Sequence, residues 1–193
     1  MNDCSRFILK RSFFQRDTAR VAKDLLGKIL VKRSGMETSS GIIIETEAYY
    51  GIGDPASHAF RGMTPRSRLM FGEAGIAYVY LCYGMYWLLN TVTEEEGIPG
   101  AVLIRGLEPL EGIESMKKRR NVNDKKRLTS GPGKLTIAMG IKGTDNRRDM
   151  TVKESSLYIM GPGRSSELKI ENTSRIGITD GKERMLRYIA IGL

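Results

Sequence analysis

The segment "KILVKRSGMETSSGIIIETEAYY", Lys28 to Tyr50, decides the fold. Its two ends, "KILVKR" and "GIIIETEAYY", have the β-branched and aromatic composition of strands, and "SGMETSSG" between them reads as the turn of a hairpin. Side chains alternate between faces along a strand, so Glu45, Glu47 and Tyr49 are expected on one face. Two carboxylates close together on an otherwise apolar strand admit two readings. One is catalytic, since an ionised, shielded glutamate is what water activation requires. The other is an ion pair at a strand edge, and such networks imitate active sites.

Upstream, Asp17 stands before "TARVAKDLLGK" as an N-cap and Gly27 follows as a stop, which predicts a short surface helix. Downstream, Gly51 to Gly75 is dense in glycine, proline and small polar residues, a long excursion of the kind that more often serves function than not. "IAYVYLCYGMYWLLNTVT" resumes strand character, with Gly84 interrupting or bending it. "GAVLIRGLEP" predicts another strand, "LEGIESMKKRR" a helix beginning after Pro109, "SGPGKLTIAMG" a turn into a short helix, and "SLYIMG" and "LRYIAIG" closing strands. The run "KKRRNVNDKKR", Lys117 to Arg127, carries seven positive charges and little apolar content, so a partly disordered basic loop and a nucleic-acid contact both fit it. No internal repeat or long linker divides residues 1–193, and one domain is expected.

With 193 residues, 40% of them hydrophobic, the chain can bury a sizeable core. Lysine and arginine number 31 against 22 acidic residues, giving a net charge of +9. The resulting pI near 9.6 favours a polyanionic partner, nucleic acid or an anionic surface. Cys4 and Cys82 have no framework spacing and are expected to be reduced, with Cys82 buried among apolar neighbours. Neither a signal-peptide core nor a membrane-length apolar run is evident, so a soluble intracellular protein is expected.

His58 is the chain's one histidine and stands far from both cysteines, which argues against a structural metal site. No G-x-S-x-G elbow accompanies it, so a nucleophilic triad is unsupported. "LTSGPGKLT" has the outline of a P-loop, but Leu128 occupies the first glycine position and Leu135 the position of the magnesium-binding hydroxyl; nucleotide hydrolysis is rejected. "AYVYLCYGMYW", Ala77 to Trp87, gathers four tyrosines and the one tryptophan in a chain with 7% aromatics. Rings so placed suit a core, but beside a basic surface they also suit base stacking, worth about 1 to 3 kcal/mol per base.

In order, "ETEAY" (Glu45 to Tyr49), "SHAFRGMTPRSRLMF" (Ser57 to Phe71), "AYVYLCYGMYWLLN" (Ala77 to Asn90), "AVLIRGLEPLEG" (Ala101 to Gly112) and "SGPGKL" (Ser130 to Leu135) resemble the alkyladenine (3-methyladenine) DNA glycosylase family. The resemblance runs from about Thr18 to Ile178, with a weaker echo in "LRYIAIG". It implies an α+β fold, one mixed domain built on a curved antiparallel sheet with peripheral helices. It also implies a monomer acting on double-stranded DNA that contains damaged purines, without metal or other cofactor, in the cytoplasm or nucleoid of a prokaryote or the nucleus of a eukaryote.

By that resemblance Glu47 deprotonates the attacking water, and Arg105 helps hold the water and keep Glu47 charged. Tyr49, Tyr80 and His58 enclose a flipped base, and Asn90 rejects guanine's exocyclic amino group. Tyr83 wedges into the duplex, while Tyr78, Met85 and Tyr86 face the groove and Thr64 and Arg66 hold phosphate. His58 is a candidate acid for neutral bases. Two other readings remain open at this point: a binding module that stacks bases without turnover, and a glycosidase using Glu45 and Glu47 on carbohydrate, which the basic charge disfavours.

Overall fold

A computed structural model of the chain describes residues 7–161 and 168–192. Its nine strands form one antiparallel sheet, and four α-helices lie against it. The strands are β1 (Phe7–Ile8), β2 (Ile29–Ser34), β3 (Glu37–Tyr50), β4 (Ala77–Cys82), β5 (Tyr86–Val92), β6 (Gly100–Glu111), β7 (Leu157–Gly161), β8 (Lys169–Thr173) and β9 (Arg187–Ile191). The helices are α1 (Arg11–Phe14), α2 (Thr18–Asp24), α3 (Ile113–Arg120) and α4 (Pro132–Met139). This is the α+β class expected, with the sheet curled into a half-barrel. No described helix is long and apolar enough to cross a membrane.

The main path of the sheet runs β1-β7-β2-β3-β6-β5-β4. Long strand β3 is its axis: Glu37 to Ile42 pair with β2, Glu45 to Glu47 with β9, and Ser40 to Tyr50 along the other edge with β6. The hairpin turn is tighter than the sequence suggests. Ser34 pairs directly with Glu37, leaving Gly35 and Met36 as a two-residue turn in which Gly35 takes φ +60°. The tyrosine run is likewise a hairpin, not one bent strand: Tyr83 and Gly84 both adopt positive φ between β4 and β5, and the Met85 N–H donates to the Cys82 carbonyl at 3.1 Å.

Pro109 lies inside β6 and does not precede a helix; a register irregularity where β6 meets Ser40 and Gly41 accommodates it, and α3 begins only at Ile113. The basic run is ordered: Lys117 to Arg120 are the last turn of α3, and Arg119 donates to the Ala138 carbonyl at 2.9 Å. The helix after Asp17 forms as expected, with the Asp17 carboxylate accepting from the Arg20 N–H at 2.9 Å, but its Val21 and Ala22 are fully buried in the core. β1, α1 and β8 have no clear sequence signal because each is short, and β8 is largely exposed. Cys82 is half-buried and forms no disulfide among the described residues; Cys4 lies outside them.

Two faces of the same strands do different work. Ala77, Val79, Leu89, Val102 and Ile104 point into the main core with Leu135 and Met139 of α4. The intervening side chains point the other way, where Ala59 and Met70 of the long 51–75 excursion pack on Tyr78, Val92 and Ala101. The excursion is therefore fastened to the sheet.

Lys32 on β2 is buried and ion-paired with buried Asp145, which also accepts from Arg148 Nε at 2.9 Å and the Lys142 N–H at 3.0 Å. Burial alone would raise the Asp145 carboxyl, but the hydrogen bonds from Lys32 and Lys142 outweigh it and hold the group below its ordinary 3.8. Lys32→Met is expected to lower unfolding free energy in urea by about 3 kcal/mol, the lower end for breaking a buried pair because Arg148 remains. A depressed carboxyl stabilises above its unfolded pKa and loses that contribution as pH falls through its folded one. The gap between variant and parent should therefore narrow below about pH 4.

Candidate active site

A cavity of about 590 Å³ opens on the face of the sheet turned away from the main core. Strand alternation supplies its wall: Tyr78, Tyr80 and Cys82 from β4, Tyr86, Leu88 and Asn90 from β5, and Ala101, Leu103 and Arg105 from β6. Tyr49 comes from β3, His58 and Arg66 from the 51–75 excursion, and Ile176 from the segment between β8 and β9. Such a volume, mostly apolar with a few converging polar groups, is that of a small-molecule or base pocket.

Glu47 is wholly buried and sits behind this wall, reached through three donors. Its Oε1 accepts the Ile176 N–H at 2.7 Å, and its Oε2 accepts the Tyr49 hydroxyl at 2.7 Å and Arg105 Nη1 at 3.3 Å. Arg105 in turn donates from Nε to Glu45 at 2.9 Å, and Glu45 also accepts from Arg187 Nε at 2.6 Å. The expected pairing of Glu45 and Glu47 on one face is modified by register shifts around Glu45, and the two carboxylates meet opposite sides of one guanidinium. Burial, then the charge and hydrogen bond of Glu47, push the Tyr49 phenol far above its ordinary value, so it stays a neutral donor to that carboxylate.

His58 Nδ1 lies 2.8 Å from the Tyr78 hydroxyl, and its ring stands edge-on to Tyr80 at 4.6 Å between centroids. Burial, with the Arg66 charge second, lowers His58 from 6.5 to about 4, so the ring is neutral at pH 7. The Asn90 amide is buried and donates from Nδ2 to the Tyr78 carbonyl at 3.2 Å. Tyr78, expected on the groove face, is instead 4% exposed, because the alternation that aims Tyr80 at the cavity aims Tyr78 there too.

At the rim the hairpin tip carries Tyr83, 85% exposed, and Met85, 66% exposed, with Tyr86 lower on the wall. Gly133 lets the N-terminus of α4 close against Tyr86: a Cβ there would stand 2.9 Å from the ring. Arg66 is exposed with its guanidinium 5.1 Å from the Tyr80 ring centroid, whereas the Thr64 hydroxyl is engaged with Ser67 at 2.9 Å in the turn before Arg68. Among the described residues no group of three or more His, Cys, Asp or Glu side chains is placed to hold a metal ion.

Of the residues singled out from the sequence, Tyr49, His58, Arg66, Tyr78, Tyr80, Tyr83, Tyr86, Asn90 and Arg105 all line this cavity, Glu47 backs it, and Met85 and Thr64 stand outside. Sequence reasoning missed Ile176, whose contribution is a backbone N–H, and the neighbouring Arg175, which carries no motif.

A sequence model of the methylpurine-DNA glycosylase (MPG) family matches residues 12–192. Relatives bearing the name "Putative 3-methyladenine DNA glycosylase" include one from Methanoculleus marisnigri, 46% identical over 95% of this chain and 95% of its own length. Another, from Prosthecochloris aestuarii, is 48% identical over 93% of this chain and 86% of its own. A third, from Rhodopseudomonas palustris, is 45% identical over 93% and 86%. A match across nearly the whole chain, on a cavity that gathers the five quoted motifs, makes this protein a member of the methylpurine-DNA glycosylase family, hydrolases of N-glycosyl bonds in DNA.

Proposed function

We propose that the protein, acting as a monomer, extrudes an alkylated or deaminated purine from duplex DNA into this cavity and hydrolyses its glycosidic bond with a water activated by Glu47. The observation that carries the reading is the position of that carboxylate: fully buried, triply hydrogen-bonded, and directly behind a ring-lined pocket. A base must leave the stack for its glycosidic carbon to be reached. The purines meant are those of the 3-methyladenine, 7-methylguanine, hypoxanthine and ethenoadenine class.

In this mechanism Tyr49, Tyr80 and His58 surround the everted base, and Tyr83 fills the space it leaves in the duplex. As the bond lengthens, positive charge gathers on the sugar, and a carboxylate fixed in a dry site stabilises it without reorganising. Glu47 thus serves as base toward water and as counter-charge toward the sugar. Arg105 holds the carboxylate's orientation from one side and Tyr49 from the other. Asn90, held by the Tyr78 carbonyl, would crowd an added amino group and so disfavour guanine, while 7-methylguanine, which also carries that group, is released because its cationic base leaves readily. Arg66, exposed beside the Tyr80 ring, meets phosphate, while Met85 and Tyr86 meet the groove.

Glu47→Gln is expected to abolish release of hypoxanthine from a single-lesion duplex, by at least about 100-fold in single turnover, with binding retained. Release at the parental rate would refute the assigned base. Tyr83→Ala should weaken binding or flipping of lesion DNA while leaving the thermal transition in place; parental affinity would remove the wedge. Because His58 is neutral down to about pH 4, the excision rate should show no break near 6.5. A break there that disappears in His58→Gln would show that the ring titrates in the complex and acts as an acid.

A further inference from the structure

We propose that the buried Asp54–Arg175 pair is a positioning unit for the reaction, which fixes the two donors Tyr49 and Ile176 that aim the Glu47 carboxylate. The inference rests on the reading of Glu47 given above. Both side chains of the pair are fully shielded, and they meet fork to fork, Nη1 to Oδ2 and Nη2 to Oδ1, each at 2.7 Å. Neither lines the cavity, and neither bonds to Glu47, so the pair acts through its neighbours.

Arg175 reaches Glu47 by two routes. Along the chain, the next residue is Ile176, whose N–H donates to Glu47 Oε1 at 2.7 Å. Across space, the guanidinium lies 4.6 Å from the centroid of the Tyr49 ring and Nη1 donates to the Ala48 carbonyl at 3.0 Å, so it grips β3 on the two residues after Glu47. Asp54 ties the arrangement to the end of the same strand, accepting the Tyr50 N–H at 3.0 Å. Residues 174 to 181 belong to no helix or strand, so no ladder sets the position of Ile176, and Arg175 beside it is bonded to Asp54 and to β3.

A buried ion pair is a poor way to obtain stability alone, since apolar side chains of like volume often serve as well or better. Its value is directional. An arginine fork fixes both distance and plane, which lysine, a point charge, does not. Positional error of about 1 Å at a reacting group costs on the order of 100-fold in rate.

The test uses two variants of the whole chain. Arg175→Lys keeps the charge that Asp54 needs but loses the fork, and Asp54→Asn/Arg175→Gln removes both charges together. Single-turnover excision of hypoxanthine at saturating protein should fall roughly 10- to 100-fold in either variant, while affinity for the lesion duplex stays within about twofold. In a Glu47→Gln background, Arg175→Lys should bring no further loss, measured on 7-methylguanine, whose cationic base leaves with least help. Parental rates in a folded variant, an equal loss of affinity, or a full additional loss without Glu47 would each overturn the proposal. So would the absence of a cooperative thermal transition in both variants, which would make the pair a determinant of the fold. Glu47→Gln run alongside separates the two failures: if it alone excises normally, the reading of Glu47 falls, whereas if it is dead and Arg175→Lys is unimpaired, only the positioning role falls.

Discussion

The structure turns on holding one carboxylate out of water with three hydrogen-bond donors around it. Burying an ionised glutamate without partners costs several kcal/mol, and it is tolerated only where donors replace its hydration. At Glu47 the donors are of three kinds: a backbone N–H, a phenol and a guanidinium. The guanidinium would itself be an uncompensated charge without Glu45, and Glu45 without Arg187. Charge therefore alternates through Arg187, Glu45, Arg105 and Glu47, two positive and two negative groups. A cluster of that kind gives little net stability beyond what packed leucines would give, which accords with the role proposed above for Glu47.

The sheet makes such a site possible because each strand is asked to build two environments at once. Even-numbered side chains of β4 and β5 and odd-numbered ones of β6 face the cavity, while those between them enter the core. Strict alternation breaks where β3 and β6 slip in register around Glu45 and Gly106, and there Leu107 returns to the core. A bulge placed there re-aims Glu45 so that both carboxylates can address Arg105 from different directions. The long 51–75 excursion completes the enclosure by bringing His58 and Arg66 over the tyrosines.

Much of this is legible in the chain because it depends on period and composition. The strand runs at 28–33 and 41–50, the cap at Asp17 and the alternation of Tyr78 and Tyr80 are local signals, and they lead to the sheet and one wall of the pocket. Tyr78 is where a residue-by-residue reading misleads, since membership in a tyrosine run does not tell rim from interior; the strand phase does. Pro109 misleads for a related reason: a strand tolerates proline where its pairing is already irregular, and only the partner strand shows that irregularity. The 174–181 segment is silent in sequence because its contribution is backbone geometry held by a distant ion pair, with Asp54 and Arg175 separated by 121 residues. No periodicity encodes a contact of that span.

The hairpin tip carries the opposite lesson, a local choice that the fold alone does not favour. Turns with two consecutive positive φ angles are best filled by asparagine or aspartate followed by glycine. Gly84 satisfies the second position, but the first holds Tyr83 at φ 51°. A bulky residue in that region costs of order 1 kcal/mol or more, and at 85% exposure its ring recovers almost nothing from burial. Met85 beside it is also largely exposed, so an apolar tip projects from the rim of the cavity in a protein whose surface is otherwise strongly basic. The exposure of the ring is the penalty that the wedge proposed for Tyr83 would offset, since insertion between bases would take it out of water. A stacked duplex opened by the loss of one base provides an apolar slot of the right kind, and the cationic surface around the tip provides the means of reaching it.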